Sequence, residues 1–150
     1  MSRWWIYLAL LTGAFLIPKQ PVELGKLIPV ELILIEKQMG EYWIHTDTGN
    51  GGTGPDVQSA IRELQETASG DLFLDTARFL VVTEDAADAV GEMSGQLKPK
   101  TYLCMADEGI DPEQAAEYLR THIPKMRVKD RHNGSNWQYL KQIEGKIKLE

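Results

Sequence analysis

The stretch from Gly49 to Glu84 limits the possible folds more than any other, because it joins a glycine-rich loop, an amphipathic helix, a Ser69-Gly70 turn and an apolar strand. Val57, Ala60, Ile61, Leu64 and Ala68 recur at three- and four-residue steps, with Gln58, Arg62, Glu63 and Glu66 between them. One stripe of that helix is therefore apolar and must be covered, while the other faces water. The strand Phe79-Leu80-Val81-Val82 is the natural cover. A continuous apolar run bounded by charged or turn residues suits a strand buried on both faces between layers of helices.

The neighbouring segments extend this unit in both directions. Leu27 to Ile35 and Tyr42 to Thr46 are two apolar stretches separated by Lys37-Gln38-Met39-Gly40-Glu41, which predicts a hairpin. Pro55 is placed at the first position of the central helix, with Asp56 and Glu63 adding acid near its start. Beyond the central strand, Glu84 to Leu97 predicts a second helix that Gly91 and Gly95 weaken, and Thr101 to Met105 a further strand. Asp111 and Gln114 have capping-box spacing at the start of a third helix, which runs through Leu119 and stops before Pro124. Lys125 to Lys129 alternates like an edge strand with its charges outward. Asn133-Gly134 marks a turn, Ser135 a cap, and Trp137 to Ile143 a short last helix. The order predicts an α/β fold bordering on α+β, with a mixed four- to five-stranded sheet that starts with a hairpin and continues with alternating helices and strands.

At 150 residues, the length suits one domain with a real core. Arg3 precedes fourteen uncharged residues, Trp4 to Ile17, in the pattern of an export signal or short anchor. As a helix this run reaches about 21 Å, short of the roughly 30 Å of hydrocarbon in a bilayer. Trp4 and Trp5 suit an interface and favour an anchor. Residues 1–17 are read as signal peptide or anchor and 18–150 as one globular domain, membrane-anchored or exported to the extracytoplasmic face.

The formal charge of −6 argues against general nucleic-acid binding. The charge is unevenly spread, however. Lys125 to Lys148 holds seven basic residues against Asp130 and Glu144, so that stretch carries +5 and the remainder −11. Lys125, Arg127, Lys129 and Arg131 are the candidate membrane or partner surface, since a weak apolar anchor and a basic patch together hold a domain on an anionic bilayer where neither would alone.

Other motifs carry less chemistry. Gly49-Asn50-Gly51-Gly52-Thr53-Gly54 matches G-x-G-x-x-G, so Gly49, Gly51 and Gly54 form the alternative reading, a phosphate loop of a small nucleotide-binding domain. Pro55 removes a donor there, and Asp47 and Asp56 put negative charge where phosphate would lie. A turn-forming loop fits better. His45, His122 and His132 have no metal-ligand spacing, and Asp71, Asp75 and Glu84 read as caps and turns. Cys104 reads as a buried, inert strand residue. No catalytic residue, metal site or cofactor is expected.

Four stretches together resemble the N-terminal domain of the Ger(x)C family, the C-subunit lipoproteins of bacterial spore germinant receptors. Val22-Glu23-Leu24-Gly25-Lys26-Leu27 resembles the family's opening after its lipid anchor. Gly51 to Leu64, with Gly54, Ala60, Ile61, Arg62 and Leu64, is similar to its glycine-containing loop and first helix with an "EA-R-L" pattern. Leu72-Phe73-Leu74-Asp75-Thr76 through Leu80-Val81-Val82-Thr83-Glu84 and Ala87 resembles its "LF-x-x-H" turn, strand and "GE-x-x-A", with Asp75 near where the family has His. Thr101 to Gly109 is similar to a later strand ending in glycine. Leu11-Thr12-Gly13 is followed by Ala14 instead of the lipobox Cys, so no thioether-linked lipid forms at that position. The resemblance implies a one-domain, non-enzymatic relative with an uncleaved apolar anchor and membrane receptor subunits as partners. It carries no site residue over to this chain.

Overall fold

The computed structural model describes residues 26–132 and 136–150. The expected anchor at 4–17, the Asn133-Gly134 turn and the Ser135 cap lie outside these residues. In chain order the strands are β1 (Leu27–Pro29), β2 (Leu32–Gln38), β3 (Glu41–Thr46), β4 (Gly51–Gly54), β5 (Asp71–Phe73), β6 (Phe79–Thr83), β7 (Tyr102–Ala106), β8 (Tyr139–Ile143) and β9 (Lys146–Leu149). The helices are α1 (Val57–Thr67), α2 (Ala89–Met93) and α3 (Pro112–Thr121). Seven strands make one mixed sheet in the order β4-β3-β2-β6-β7-β8-β9, and β1 pairs with β5 apart from it. The α/β class is as expected, but the sheet exceeds four or five strands.

β2, β6, β7 and β8 are parallel, with antiparallel strands closing each side. Phe79 to Val82 are wholly buried, as a strand covered on both faces requires. Leu80 and Val82 meet one layer, where Val57, Ala60, Ile61 and Leu64 of α1 and Val90 and Met93 of α2 pack. Phe79 and Val81 meet the other, where α3 contributes Ala115, Ala116 and Leu119.

The extra strands come from two segments with weak strand signatures. Gly51–Gly54 pairs with β3 because the absent side chains let its backbone lie against α1. A Cβ on Gly52 would fall 2.3 Å from Ala60 O and 2.4 Å from Leu64 N. The expected last helix at 137–143 is instead β8, joined to β9 by Glu144-Gly145, whose φ values of 51° and 75° form a tight hairpin turn. The first hairpin turns the same way at Met39-Gly40 (φ 50° and 82°).

Four further expectations are corrected. The Leu27–Ile35 stretch breaks after Pro29, because the N–H groups of Glu31 and Leu32 both donate to Asp47 Oδ1 at 3.0 Å while Glu31 O accepts from Arg78 and Phe79. Asp56, and not Pro55, begins α1: it is the N-cap, its side chain accepting the Ser59 N–H at 2.8 Å. Asp111 caps α3 by position only, without a side-chain bond. The second helix shrinks to a 3-10 turn at Glu84–Ala86 and the five residues of α2, consistent with two glycines of low helix propensity.

Lys37, Tyr42 and Asp88 tie the first hairpin to α2. Tyr42 donates to Asp88 Oδ2 at 2.5 Å, and Lys37 Nζ reaches the Tyr42 oxygen at 3.1 Å. The Tyr42–Asp88 bond raises the Tyr42 phenol above its ordinary value and lowers the Asp88 carboxyl below its own. The stabilisation is thus present above the ordinary carboxylate range and lost as pH falls through the native Asp88 value. It is likewise present below the ordinary phenol value and lost as pH rises through the native Tyr42 value. Tyr42→Phe is expected to cost about 1 kcal/mol at neutral pH, a difference that fades at both acid and alkaline extremes of urea titrations. Gly52→Ala is expected to destabilise by about 3 kcal/mol, because backbone must move. Gly91→Ala, in α2 with open space around it, is expected to stabilise by about 0.5–1 kcal/mol.

Candidate functional site

Parallel strands bring their amino ends to one side of the sheet, and here that gathers positive charge. Arg78 immediately precedes β6, Lys98 and Lys100 precede β7, and Arg127 follows the loop after α3. With Thr76, Thr101 and Tyr102 they line an open cavity of about 420 Å³. Arg127 lies over the Tyr102 ring at 5.2 Å and its Nη2 approaches the Tyr102 oxygen at 3.5 Å. Arg78 lies over the Phe79 ring at 5.2 Å and pairs with Glu31 at 3.4 Å, while Arg120 holds the same carboxylate at 2.7 Å. Among the described residues, neither Lys98 nor Lys100 has an ion-pair partner.

Three backbone donors here are engaged: Arg78 N–H donates to Glu31 O, Thr101 N–H to Lys98 O and Tyr102 N–H to Arg78 O. What the cavity presents is cationic side chains from three segments of the chain. Such side chains attract negative charge.

Of the four basic residues singled out in sequence, only Arg127 lines the cavity. Lys125 and Lys129 are exposed beside it, and the Lys129 N–H donates to Pro99 O. Arg131 turns back to Val128 O at 3.3 Å. The expected edge strand is one antiparallel bridge, Tyr102 to Arg127, followed by a 3-10 turn at Val128–Asp130. This segment fills the place beside the first half of β7 that β8, pairing only with Met105 and Ala106, leaves open. Arg78, Lys98 and Lys100 were missed, although the sequence holds their signal: basic residues just before two successive strands converge if those strands are parallel.

The glycine segment is used differently from a phosphate loop. Gly51 and Gly54 belong to β4 and Gly49 to the turn before it, with φ 81°. Thr53 N–H and Oγ1 donate to Glu63, and the Gly49 N–H to Thr46 O. Asp56 occupies the start of α1. Glu63 and Asp56 are both held below the usual carboxylate range by the bonds they accept, the backbone N–H of Thr53 and of Ser59 respectively coming first.

His45 Nε2 lies 3.7 Å from the buried Glu36, whose other oxygen accepts the Gly109 N–H at 3.0 Å. His122 stacks on Tyr118 with ring centroids 4.1 Å apart. Asp71 lies on β5, and Asp75 and Glu84 in 3-10 turns. Among the described residues, no three His, Cys, Asp or Glu side chains converge as metal ligands. No helix among them is long and apolar enough to cross a membrane.

No family model, curated protein or solved structure matches the chain. Cys104, on β7, is 1% exposed in the α3-side layer, and burial pushes its thiol up to about 12. It is expected to stay unmodified by a thiol-specific disulfide reagent at neutral pH in the native protein. Full modification in urea, with one thiol per chain, is the control.

Proposed function

We propose that this protein is a non-catalytic, membrane-associated module of the extracytoplasmic face, held by the apolar residues 4–17 together with the basic cavity. The supporting observation is where the chain enters the sheet. Val30 and Glu31, just ahead of β2, adjoin the cavity: Thr76 Oγ1 accepts the Val30 N–H at 3.1 Å and Glu31 pairs with Arg78. Only residues 18–25 separate Ile17 from the described part of the chain, a tether of at most about 30 Å when extended. An apolar segment embedded in a bilayer thus keeps the Arg78, Lys98, Lys100 and Arg127 cluster within reach of the headgroups.

An apolar run too short to span gains from a second signal, and each Lys or Arg near an anionic surface contributes about 1 kcal/mol. The role that fits is assembly with membrane receptor subunits, of the kind implied by the likeness to Ger(x)C germination proteins. Nucleotide binding through Gly49, Gly51 and Gly54 draws no support from a segment whose donors are engaged by Glu63 and Thr46.

The full-length chain is expected in the membrane fraction, and a chain lacking residues 1–17 in the soluble one. On phosphatidylglycerol vesicles, Lys98→Gln with Lys100→Gln is expected to weaken partitioning by roughly thirtyfold, the equivalent of about 2 kcal/mol, with no change on phosphatidylcholine. A full-length chain that fractionates wholly as a soluble protein overturns the reading.

A further inference from the structure

The opposite end of the sheet carries the reverse charge. From β6 the chain passes through Glu84 to α2 on one face, whereas from β7 it passes through Asp107 to α3 on the other. Neighbouring parallel strands whose outgoing connections part to opposite faces leave a crevice beyond their carboxyl ends, where open α/β sheets take their ligands. Here the crevice is a cavity of about 360 Å³ lined by Thr83, Glu84, Asp85, Ala106, Asp107 and Glu108. That volume falls within the roughly 300–1,000 Å³ of small-molecule pockets.

Two observations define what it would take. Glu84, Asp85, Asp107 and Glu108 are exposed, and among the described residues none of them has a cation within ion-pair distance. Lys141, the cation on neighbouring β8, is held by Glu150 at 2.9 Å. Thr83, which lines the crevice, is 3% exposed, and its Oγ1 has no hydrogen-bond partner among the described residues. Buried hydroxyls are nearly always bonded, so an unpaired one beside a charged crevice points to a group that the crevice receives. The carboxylates sit in two pairs on two strand ends and do not converge as metal ligands. Their match is a ligand that brings several separated positive charges, and not a chelated ion.

We propose that this crevice binds a small aliphatic polyamine. Separated ammonium groups pair with Glu84 and Asp85 on one wall and with Asp107 and Glu108 on the other, and one N–H donates to Thr83 Oγ1. The site is independent of the basic cavity at the other end of the sheet, so its fate does not depend on membrane attachment.

The test is calorimetric titration of the full-length chain, in zwitterionic detergent at physiological salt, with spermidine. One-site saturation with Kd below about 100 µM is expected. Glu84→Gln with Asp107→Asn, both at exposed positions, is expected to weaken binding by about tenfold or more. Thr83→Val is expected to weaken it by about threefold without lowering the thermal unfolding midpoint, since the hydroxyl is unpaired in the free protein. Heats that fail to saturate by about 5 mM, unchanged affinity in either variant, or displacement by Mg²⁺ at matched charge overturn the proposal.

Discussion

The burial of β6 on both faces is the constraint from which the rest follows. Phe79, Leu80, Val81 and Val82 have no exposed surface, so the strand needs a strand on each edge and an apolar layer above and below. β2 and β7 occupy the edges in parallel. α1 and α2 form one layer and α3 contributes to the other. Parallel neighbours align their amino ends on one side and their carboxyl ends on the other, so whatever residues flank the strands are sorted by position. Arg78, Lys98 and Lys100 precede strands and gather at one end; Glu84, Asp85, Asp107 and Glu108 follow strands and gather at the other.

The antiparallel flank depends on a second constraint, the contact between backbone and backbone. β4 lies so near α1 that side chains at Gly52 and Gly54 would overlap main-chain atoms of the helix. The gap between strand and helix is set by absent atoms, and Glu63 reaches back from α1 to bond Thr53 across it. A glycine-rich run beside a helix start has two physical uses, close approach to phosphate or close approach to protein. Engaged donors and capping acid mark the second.

Elements whose residues have a single period could be read directly from the chain. The stripe of α1, the apolar run of β6 and the β2–β3 hairpin are of this kind, and Cys104 was placed correctly as buried. Trp137 to Ile143 satisfies a helical step and a strand alternation at once, and the arbiter lies beyond it, in a Glu144-Gly145 turn that lets Ile147 and Leu149 pack against the α3 layer. Gly51–Gly54 has no apolar pattern at all, because its partner is a backbone. The candidate site was legible only at Arg127. Its companions are separated from it by 27 to 49 positions in the chain, and only the parallel pairing of β6 with β7 brings them together.

Opposite charge at the two ends of one sheet gives the domain a direction. A five-residue strand spans about 17 Å, about twice the Debye length near 8 Å at physiological salt. The exposed charges at one end are therefore largely screened from those at the other, and the net −6 does not cancel the basic cavity. An anionic bilayer attracts the end with Arg78, Lys98, Lys100 and Arg127 and repels the end with Glu84, Asp85, Asp107 and Glu108. Because β2 begins beside the attracted end, the membrane attachment we propose through residues 4–17 would favour the same orientation as this electrostatic torque, with the carboxyl-end crevice turned toward water.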